Sequence, residues 1–298
     1  MTSLDFGPVV LGGNVFGWTA DRDGSFAVLD AFHAAGGRAI DTADVYSNWV
    51  PGNDGGVSEE IIGEWAESRG VRGELVIATK VAMLPGRAGL SPDNIRAAVE
   101  DSLRRLRTDY IDLYYAHQDD EDALQDDYVA TFSSLVAEGK VRELGASNFT
   151  AARLRSAVEL AQTNGLTPFT ISQDRYNLVE RGIESTLVPT LASLRITELP
   201  YSSLASGFLS GKYRAGVEVD SPRAGGASAY LETHAGLLEV LDGIAAAHST
   251  TVTSVALSWL RAQGVVGAPI ASARTPEHVP ALLEVVDLTA EELAALSS

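Results

Sequence analysis

The chain has 298 residues, 45% of them hydrophobic, so a large core can be buried within one domain spanning residues 1–298. It contains no cysteine, which excludes disulfides, thiolate nucleophiles and cysteine-ligated metals. Its formal net charge of -18 repels phosphate backbones and anionic membranes, so nucleic acids and lipid surfaces are poor candidate partners.

Short apolar runs rich in Val and Ile alternate with amphipathic stretches along the whole chain, which is typical of βα units and a parallel sheet. The predicted strands are Val9–Leu11, Ala39–Asp41, Leu75–Lys80, Ile111–Ala116, Arg142–Ala146, Thr170–Gln173, Ile196–Pro200 and Val265–Ile270. Eight parallel strands can close into a barrel, and the glycine fingerprint of a doubly wound sheet is absent after the first strand. We therefore predict an α/β fold, a single-domain (β/α)8 TIM barrel.

Sequence signals mark the ends of several helices. Ser91 can cap a helix whose first residue is a proline, and Thr289 with Glu292 forms a capping box for a terminal helix. The apolar face of the first of these helices would consist of Ile95, Ala98, Val99, Ser102, Leu103 and Leu106. After the seventh strand, two helices over Leu237–His248 and Thr253–Gln263 are expected to share one helical position.

Four side chains that can do chemistry stand at or after the ends of predicted strands: Asp41, Tyr46, Lys80 and His117. A carbonyl under reduction develops alkoxide character and needs a nearby acid. Tyrosine has a pKa of about 10, and a neighbouring ammonium is expected to lower that pKa while a carboxylate holds the ammonium. An imidazole can orient the carbonyl oxygen. Each residue alone is more often a packing or capping residue, but their occurrence at three successive strand ends favours an active site.

Five segments carry a family resemblance. DTADVY, VIATK, SLRRLRTDYIDLYYAH, GKVRELGASNF and YSSLASGFLSGKY, in this order, resemble the aldo-keto reductases from about Leu11 to about Leu283. The GGNVFGW start is similar to bacterial members without a long preceding hairpin. The resemblance implies an NADPH-dependent reductase of aldehydes or ketones that works by hydride transfer. It makes Asp41, Tyr46, Lys80 and His117 a catalytic tetrad, with Tyr46 as the general acid.

The same resemblance implies a set of cofactor contacts. Ser147, Asn148 and Gln173 would bind the nicotinamide carboxamide, and Tyr201 would stack on the nicotinamide ring. The remaining implied cofactor residues, mostly around the phosphates, are Ser202, Leu204, Ser206, Gly207, Lys212, Arg214, Ser272, Arg274 and His278. NADPH is the expected cofactor. Use of NADH stays open, because Leu282 stands where many members have an adenine-binding Asn.

The substrate mouth is expected to be lined by Phe16, Trp18, Trp49 and the loop beginning Gln118 and Asp119, which suits an apolar or ring-shaped carbonyl compound. The acidic run from Asp119 to Asp127 is interpreted as a solvated loop leading into a helix, since its carboxylates lack calcium-loop spacing.

The polar stretch from Arg214 to Thr233 is long for a barrel connection. It is expected either to fold over bound cofactor or to form a disordered excursion.

Two other functions stay open at this point. The first is a cofactor-binding regulatory subunit on the same barrel, as in the potassium-channel β subunits that resemble this family. The second is an enzyme whose physiological direction is the oxidation of an alcohol or sugar. The family resemblance implies a monomer.

Location and metal content can also be addressed from the sequence. No apolar run reaches the roughly 18 residues of a membrane span, and the start MTSLDFGPVV lacks the layout of a secretory signal. The five histidines show no HxH or HExxH spacing. We therefore expect a cytoplasmic protein without a metal site or a membrane partner.

Overall fold

A computed structural model describes residues 2–214, 216–219 and 224–297 of the chain. Its strands form one eight-stranded parallel sheet in the order β7-β6-β5-β4-β3-β2-β1-β8. The strands are β1 Val10–Gly12, β2 Ala39–Asp41, β3 Val76–Val81, β4 Ile111–Ala116, β5 Val141–Ser147, β6 Ile171–Gln173, β7 Thr197–Glu198 and β8 Ile270–Ala271. The first seven agree with the predicted bounds to within two residues.

The sheet curls until its two edges meet. The backbone N–H of Glu198 donates to Val265 O over 2.8 Å, that of Gly267 donates to Glu198 O over 2.9 Å, and that of Ile270 donates to Pro200 O over 2.8 Å. These bonds connect the β7 edge with the segment that leads into β8. The predicted (β/α)8 barrel is thereby confirmed.

The bounds of the eighth strand were predicted wrongly. Val265–Ile270 was expected to be the strand, but β8 is Ile270–Ala271, and Val266 makes only an isolated bridge with Glu198. Pro269 within this segment has no N–H to donate to a ladder, so regular pairing starts only after it.

The helices lie between the strands. They are α1 Arg22–Ala34, α2 Val57–Arg69, α3 Pro92–Leu106, α4 Gln125–Ala137, α5 Ala151–Thr163, α6 Leu187–Leu194, α7 Ala224–Ala247, α8 Val252–Arg261, α9 Val279–Leu283 and α10 Ala290–Leu296. Ser91 accepts a bond from Asn94 N and caps α3, and both bonds of the capping box at Thr289 and Glu292 are present. Both predicted helix starts are confirmed. No helix in the described ranges is long and apolar enough to cross a bilayer.

The core has an inner and an outer part. Side chains inside the barrel, such as Leu113, Tyr115 and Leu199, form one buried cluster. Larger clusters fill the space between the sheet and the surrounding helices. The Tyr115 ring fits because β5 has a glycine beside it, where a Cβ on Gly145 would lie 2.3 Å from the ring. This packing makes the barrel interior solid below the ends of the strands.

The long connection after β7 is partly helical. Residues 215 and 220–223 of the predicted stretch Arg214–Thr233 lie outside the described residues, and α7 begins at Ala224, well before the predicted Leu237. Tyr230 packs its ring 5.9 Å from that of Phe208. The first part of α7 therefore lies against the segment after β7, and its covering of a bound cofactor stays a prediction.

Candidate active site

The ends of neighbouring strands bring the four predicted reactive side chains together. Asp41 ends β2, Lys80 lies near the end of β3 and His117 follows β4. Tyr46 lies in the loop after β2, which is fixed by a bond from Ser47 Oγ to Phe16 O of 2.7 Å. Because the strands are parallel, their carboxyl ends meet at one face of the barrel.

Lys80 is the centre of this cluster. Its side chain is fully buried, and its Nζ donates to Asp41 Oδ2 over 2.6 Å, to Thr42 O over 2.7 Å and to Tyr46 Oη over 3.1 Å. An ammonium has three donors, so all three have acceptors. Asp41 is held from its other oxygen by Gln173 Nε2 at 2.9 Å. The phenol, ammonium and carboxylate therefore have a single preformed arrangement.

The electrostatics of the cluster differ from the sequence-based expectation. Lys80 was expected to lower the pKa of Tyr46, but burial, followed by the charge of Asp41, raises that pKa well above its usual value. Burial lowers the pKa of Lys80, and Asp41 opposes this effect. The expectation was wrong because burial disfavours the charged phenolate, and because the hydroxyl lies near a carboxylate as well as an ammonium, with Tyr46 Oη 3.4 Å from Asp41 Oδ2.

His117 closes one side of the cluster. Its ring lies 6.0 Å from that of Tyr46, and its side chain is largely buried. Burial, together with the charge of Lys80, holds the pKa of His117 well below its usual value. The imidazole is therefore neutral at physiological pH and can offer one N–H donor.

The predicted nicotinamide contacts form a connected wall beside His117. Asn148 Nδ2 donates to His117 O over 2.9 Å and to Ser147 Oγ over 3.0 Å, while Tyr201 Oη donates to Asn148 Oδ1 over 2.8 Å. Asn148 has a φ of 58°, and its backbone N–H donates to Asp174 Oδ1 over 3.1 Å. The structure thus brings Ser147, Asn148 and Tyr201 together. Gln173 instead donates a hydrogen bond to Asp41.

These residues open onto a cavity of about 930 Å³. This is near the upper end of the roughly 300–1,000 Å³ usual for ligand sites. Asp41, Tyr46 and His117 line it, while Lys80 lies behind them and reaches it through Tyr46. Of the predicted cofactor residues, those that line the cavity are Ser147, Asn148, Gln173, Tyr201, Ser202, Leu204, Ser206, Gly207, Lys212, Ser272, Arg274 and His278.

A second part of the cavity wall collects positive charge. The pKa of His278 is lowered by burial and then by the charges of Arg274 and Lys212, so these three residues from two separate segments converge. Neither cation pairs with a carboxylate of the described residues. This wall fits the phosphates of a dinucleotide.

Arg214 does not belong to this wall. It was predicted to bind cofactor, but its Nη2 donates to Asp242 Oδ1 over 2.7 Å, and it does not line the cavity. The family resemblance had implied that role. Asp242 on α7 binds the guanidinium instead, and no local sequence motif predicts this contact.

The mouth beside Tyr46 is aromatic. Trp18 and Trp49 line it and contact each other edge to face with ring centroids 5.7 Å apart, and Met83 lines it as well. Phe16 was predicted there wrongly, because its side chain is fully buried in the core between sheet and helices.

The loop of Gln118 and Asp119 is also absent from the cavity wall. Asp119 is held by Arg153 at 2.6 Å, and Asp120 accepts a bond from Leu90 N of 2.7 Å. The acidic run leads into α4 as predicted, but Asp119 and Asp120 within it are held by hydrogen bonds to other segments rather than solvated.

Sequence reasoning missed several polar residues that line the cavity, among them Asn14, Arg175, Thr251 and Thr253. Asn14 accepts a bond from Ser272 Oγ of 2.7 Å and follows β1, so its position after a strand was a usable signal. Arg175 lies two residues after Gln173, on the same side of an extended chain, which was also a signal. The two threonines start α8, and nothing distinguished them from an ordinary helix cap.

Comparison with protein families identifies the chain's relationship. The pattern of the Aldo/keto reductase family matches residues 8–298. The chain belongs to the aldo/keto reductase family. It is therefore an oxidoreductase, and the side-chain cluster at the strand ends lies at the face where barrel enzymes keep their active sites.

Individual relatives cover nearly the whole of this aldo/keto reductase. An aryl-alcohol dehydrogenase [NADP(+)] of Phanerodontia chrysosporium is 32% identical over 91% of this chain and 74% of its own length. A norsolorinic acid reductase of Emericella nidulans is 31% identical over 98% of this chain and 78% of its own length. An uncharacterized oxidoreductase of Bacillus subtilis is 32% identical over 98% of this chain and 90% of its own length.

Proposed function

We propose that this protein is an NADPH-dependent reductase of aromatic aldehydes or ketones, with Tyr46 as the proton donor. The observation that carries the proposal is the Lys80–Tyr46–Asp41 cluster, which opens onto a cavity with an aromatic mouth and a cationic wall. The names of two relatives, an aryl-alcohol dehydrogenase using NADP(+) and a norsolorinic acid reductase, support the cofactor and the substrate class.

The proposed cofactor is held by residues from both walls of the cavity. Ser147 has a hydroxyl and Asn148 an amide that can bind the carboxamide, and Tyr201 supplies a ring that can stack on the nicotinamide. Lys212 and Arg274 neutralise the phosphates, which favours NADPH over NADH because the former carries an additional phosphate group. When bound, the nicotinamide supplies a hydride to the carbonyl carbon.

The proton comes from Tyr46. Its raised pKa keeps the hydroxyl protonated over the physiological range, so the donor is present before reaction. Transfer to the carbonyl oxygen leaves a phenolate 3.1 Å from the Lys80 ammonium, whose charge stabilises that anion. Asp41 keeps the ammonium in place. Because Tyr46 lines the cavity, its phenolate can recover a proton from solvent that enters there.

His117 orients the substrate in this proposal. Its low pKa keeps it neutral, so it donates a hydrogen bond to the carbonyl oxygen without adding a second positive charge beside Lys80. A charged imidazole at this point would raise the energy of the Lys80 ammonium, since both are buried.

The reverse direction is the second candidate. It is favoured by the name of the aryl-alcohol dehydrogenase, because one site catalyses both directions and the cellular ratio of oxidised to reduced cofactor selects between them.

The test is a spectrophotometric assay of NADPH and NADH oxidation with paired carbonyl compounds, such as benzaldehyde and cyclohexanecarbaldehyde. We expect turnover with NADPH, higher kcat/KM for the aromatic partner, and oxidation of benzyl alcohol with NADP+. Tight NADPH binding without turnover of any aldehyde or alcohol would instead support the regulatory subunit.

A further inference from the structure

Arg175 is placed at the barrel mouth by the alternation of two strands. In β6, Ile171 faces the barrel interior and Gln173 reaches Asp41, so Arg175 continues the same row above them. It forms a parallel bridge with Tyr201, and the Tyr201 N–H donates to Asp174 O over 2.9 Å. Arg175 and Tyr201 therefore stand side by side on the cavity wall.

The guanidinium of Arg175 makes one long ion pair and lies near tyrosine side chains. Its central carbon lies 5.3 Å from the centre of the Tyr201 ring, and its Nη1 is 3.3 Å from Glu180 Oε1, with 51% of the side chain exposed. Arg153, by contrast, makes two bonds to Asp119 of 2.6 and 3.0 Å. A long, exposed ion pair contributes little stability, so Arg175 is available to another anion.

Arg175 belongs to the Tyr46 end of the cavity. Tyr201, on which it lies, bonds to Asn148, and Asn148 bonds to the backbone of His117, whose ring contacts Tyr46. The other lysine and arginine side chains on the wall in the described ranges are Lys212 and Arg274, which converge on His278 instead. Arg175 is therefore a third cation on the cavity wall, separate from the two that we assign to the cofactor phosphates.

The two carboxylates on the cavity wall do not pair with Arg175, whose ion-pair partner is Glu180 outside the wall. Asp41 is already paired with Lys80 at 2.6 Å, and Glu277 neighbours His278. Because the chain has a formal net charge of -18, an anionic substrate needs a local cation to approach at all.

We propose that Arg175 is a specificity-determining residue that binds a carboxylate on the aromatic substrate, at the end remote from the reacting carbonyl. This rests on the proposed reductase function. A guanidinium recognises a carboxylate through two parallel N–H donors, and the Trp18 and Trp49 rings on the wall of the same cavity suit an aromatic substrate body. The preferred substrates are then aromatic oxo-acids rather than neutral aryl aldehydes.

The experiment compares para-carboxybenzaldehyde with para-methylbenzaldehyde, which have similar shapes and differ in charge. The proteins are the wild-type chain, Arg175→Gln, Arg175→Lys and the control Arg155→Gln, whose arginine is 41% exposed and 3.9 Å from an acid on α5. A charged hydrogen bond contributes enough for a preference of about 10-fold to 100-fold in kcat/KM for the carboxylate. We expect Arg175→Gln to abolish this preference through KM, Arg175→Lys to keep part of it, and the control to keep all of it.

Three outcomes would overturn the assignment. Equal kcat/KM for the two aldehydes in the wild type would leave no carboxylate site. An equal loss for both aldehydes in Arg175→Gln would indicate a structural role. A weaker NADPH Kd in that variant, measured by fluorescence quenching, would assign the guanidinium to a cofactor phosphate.

A binding measurement separates this proposal from the proposed function. Calorimetric titration of para-methylbenzoate into protein with NADPH needs no turnover, and its binding is expected to be lost in Arg175→Gln only. Turnover of para-methylbenzaldehyde without binding of para-methylbenzoate would contradict the carboxylate site and support the reductase function. Binding of para-methylbenzoate without turnover of any aldehyde would support the carboxylate site and contradict the reductase function.

Discussion

The two ends of the cavity are built differently. At the Tyr46 end, Lys80 and Asp41 are almost completely buried and every donor of the ammonium has an acceptor. At the phosphate end, Lys212 and Arg274 converge without a carboxylate partner among the described residues. One end is complete as a protein structure, and the other has excess charge that an anionic ligand would balance.

The difference follows from the chemistry each end needs. A proton donor must hold one geometry, so buried hydrogen bonds at rigid strand ends are suitable. A phosphate site needs net positive charge and access, so its cations stand on loops and remain partly solvated. Substitutions at the first end should therefore change catalysis or stability, and those at the second should change cofactor affinity.

The largest expected effect is that of Tyr46→Phe. Removal of the proton donor should lower kcat by about 10²-fold to 10⁴-fold, while NADPH Kd changes little, because the hydroxyl bonds Lys80 and Asp41 rather than the phosphate wall. Steady-state kinetics and fluorescence quenching by NADPH measure the two quantities. Tyr110→Phe is the control, since Tyr110 precedes β4 at the opposite end of the barrel. A parallel loss of NADPH binding would contradict the assigned role.

Asp44→Asn should measure the cost of a buried carboxylate at the Tyr46 end. Asp44 is buried, its carboxylate oxygens lack hydrogen-bond partners among the described residues, and burial, followed by the charge of Glu59, raises its pKa to about 7. With a folded pKa above the unfolded one, ionisation destabilises the fold increasingly as pH rises from about 4 to about 7. Each pKa unit is about 1.4 kcal/mol.

We therefore expect Asp44→Asn to raise the free energy of unfolding at about pH 8 by up to about 4 kcal/mol. At about pH 4 the carboxyl is protonated in the folded state and only about half ionised in the unfolded state, so the gain should fall to about 0.5 kcal/mol. Denaturant unfolding at both pH values measures this difference. An equal gain at the two pH values would mean that charge is not the cause.

At the phosphate end, Arg274→Gln and Lys212→Gln should each weaken NADPH binding by about 10-fold to 100-fold, the range for a lost charged hydrogen bond. Arg274→Gln should also narrow the preference for NADPH over NADH. Titration of both cofactors measures the effect. Arg214→Gln is a sharp control, because Arg214 pairs with Asp242 outside the cavity and its loss should leave NADPH Kd nearly unchanged.

Salt should have the smallest effect and should separate the two ends without mutation. Raising ionic strength to about 0.5 M shortens the screening length, so NADPH Kd should rise several-fold. The buried Lys80–Asp41 pair is screened much less, so kcat at saturating NADPH should stay nearly constant. A matching fall in kcat would contradict the proposed difference in salt sensitivity between the two ends.

The sequence predicted the Tyr46 end better than the phosphate end and the mouth. Asp41, Lys80 and His117 stand at strand ends, where alternation of apolar and polar residues is readable, and the barrel topology makes such ends meet. Arg214 and Phe16 were misplaced because sequence distance says nothing about the partner on α7 or the packing under the sheet. Arg175 was missed although the strand period pointed to it.

The chain by itself determined the βα alternation, the caps at Ser91 and Thr289 and the residue types available at strand ends, because these depend on local periodicity and backbone bonding. Only the tertiary structure decided the pKa values and the partners. The direction of the Tyr46 shift follows from burial and from Asp41 acting against Lys80, and burial and through-space distances exist only after the barrel has closed.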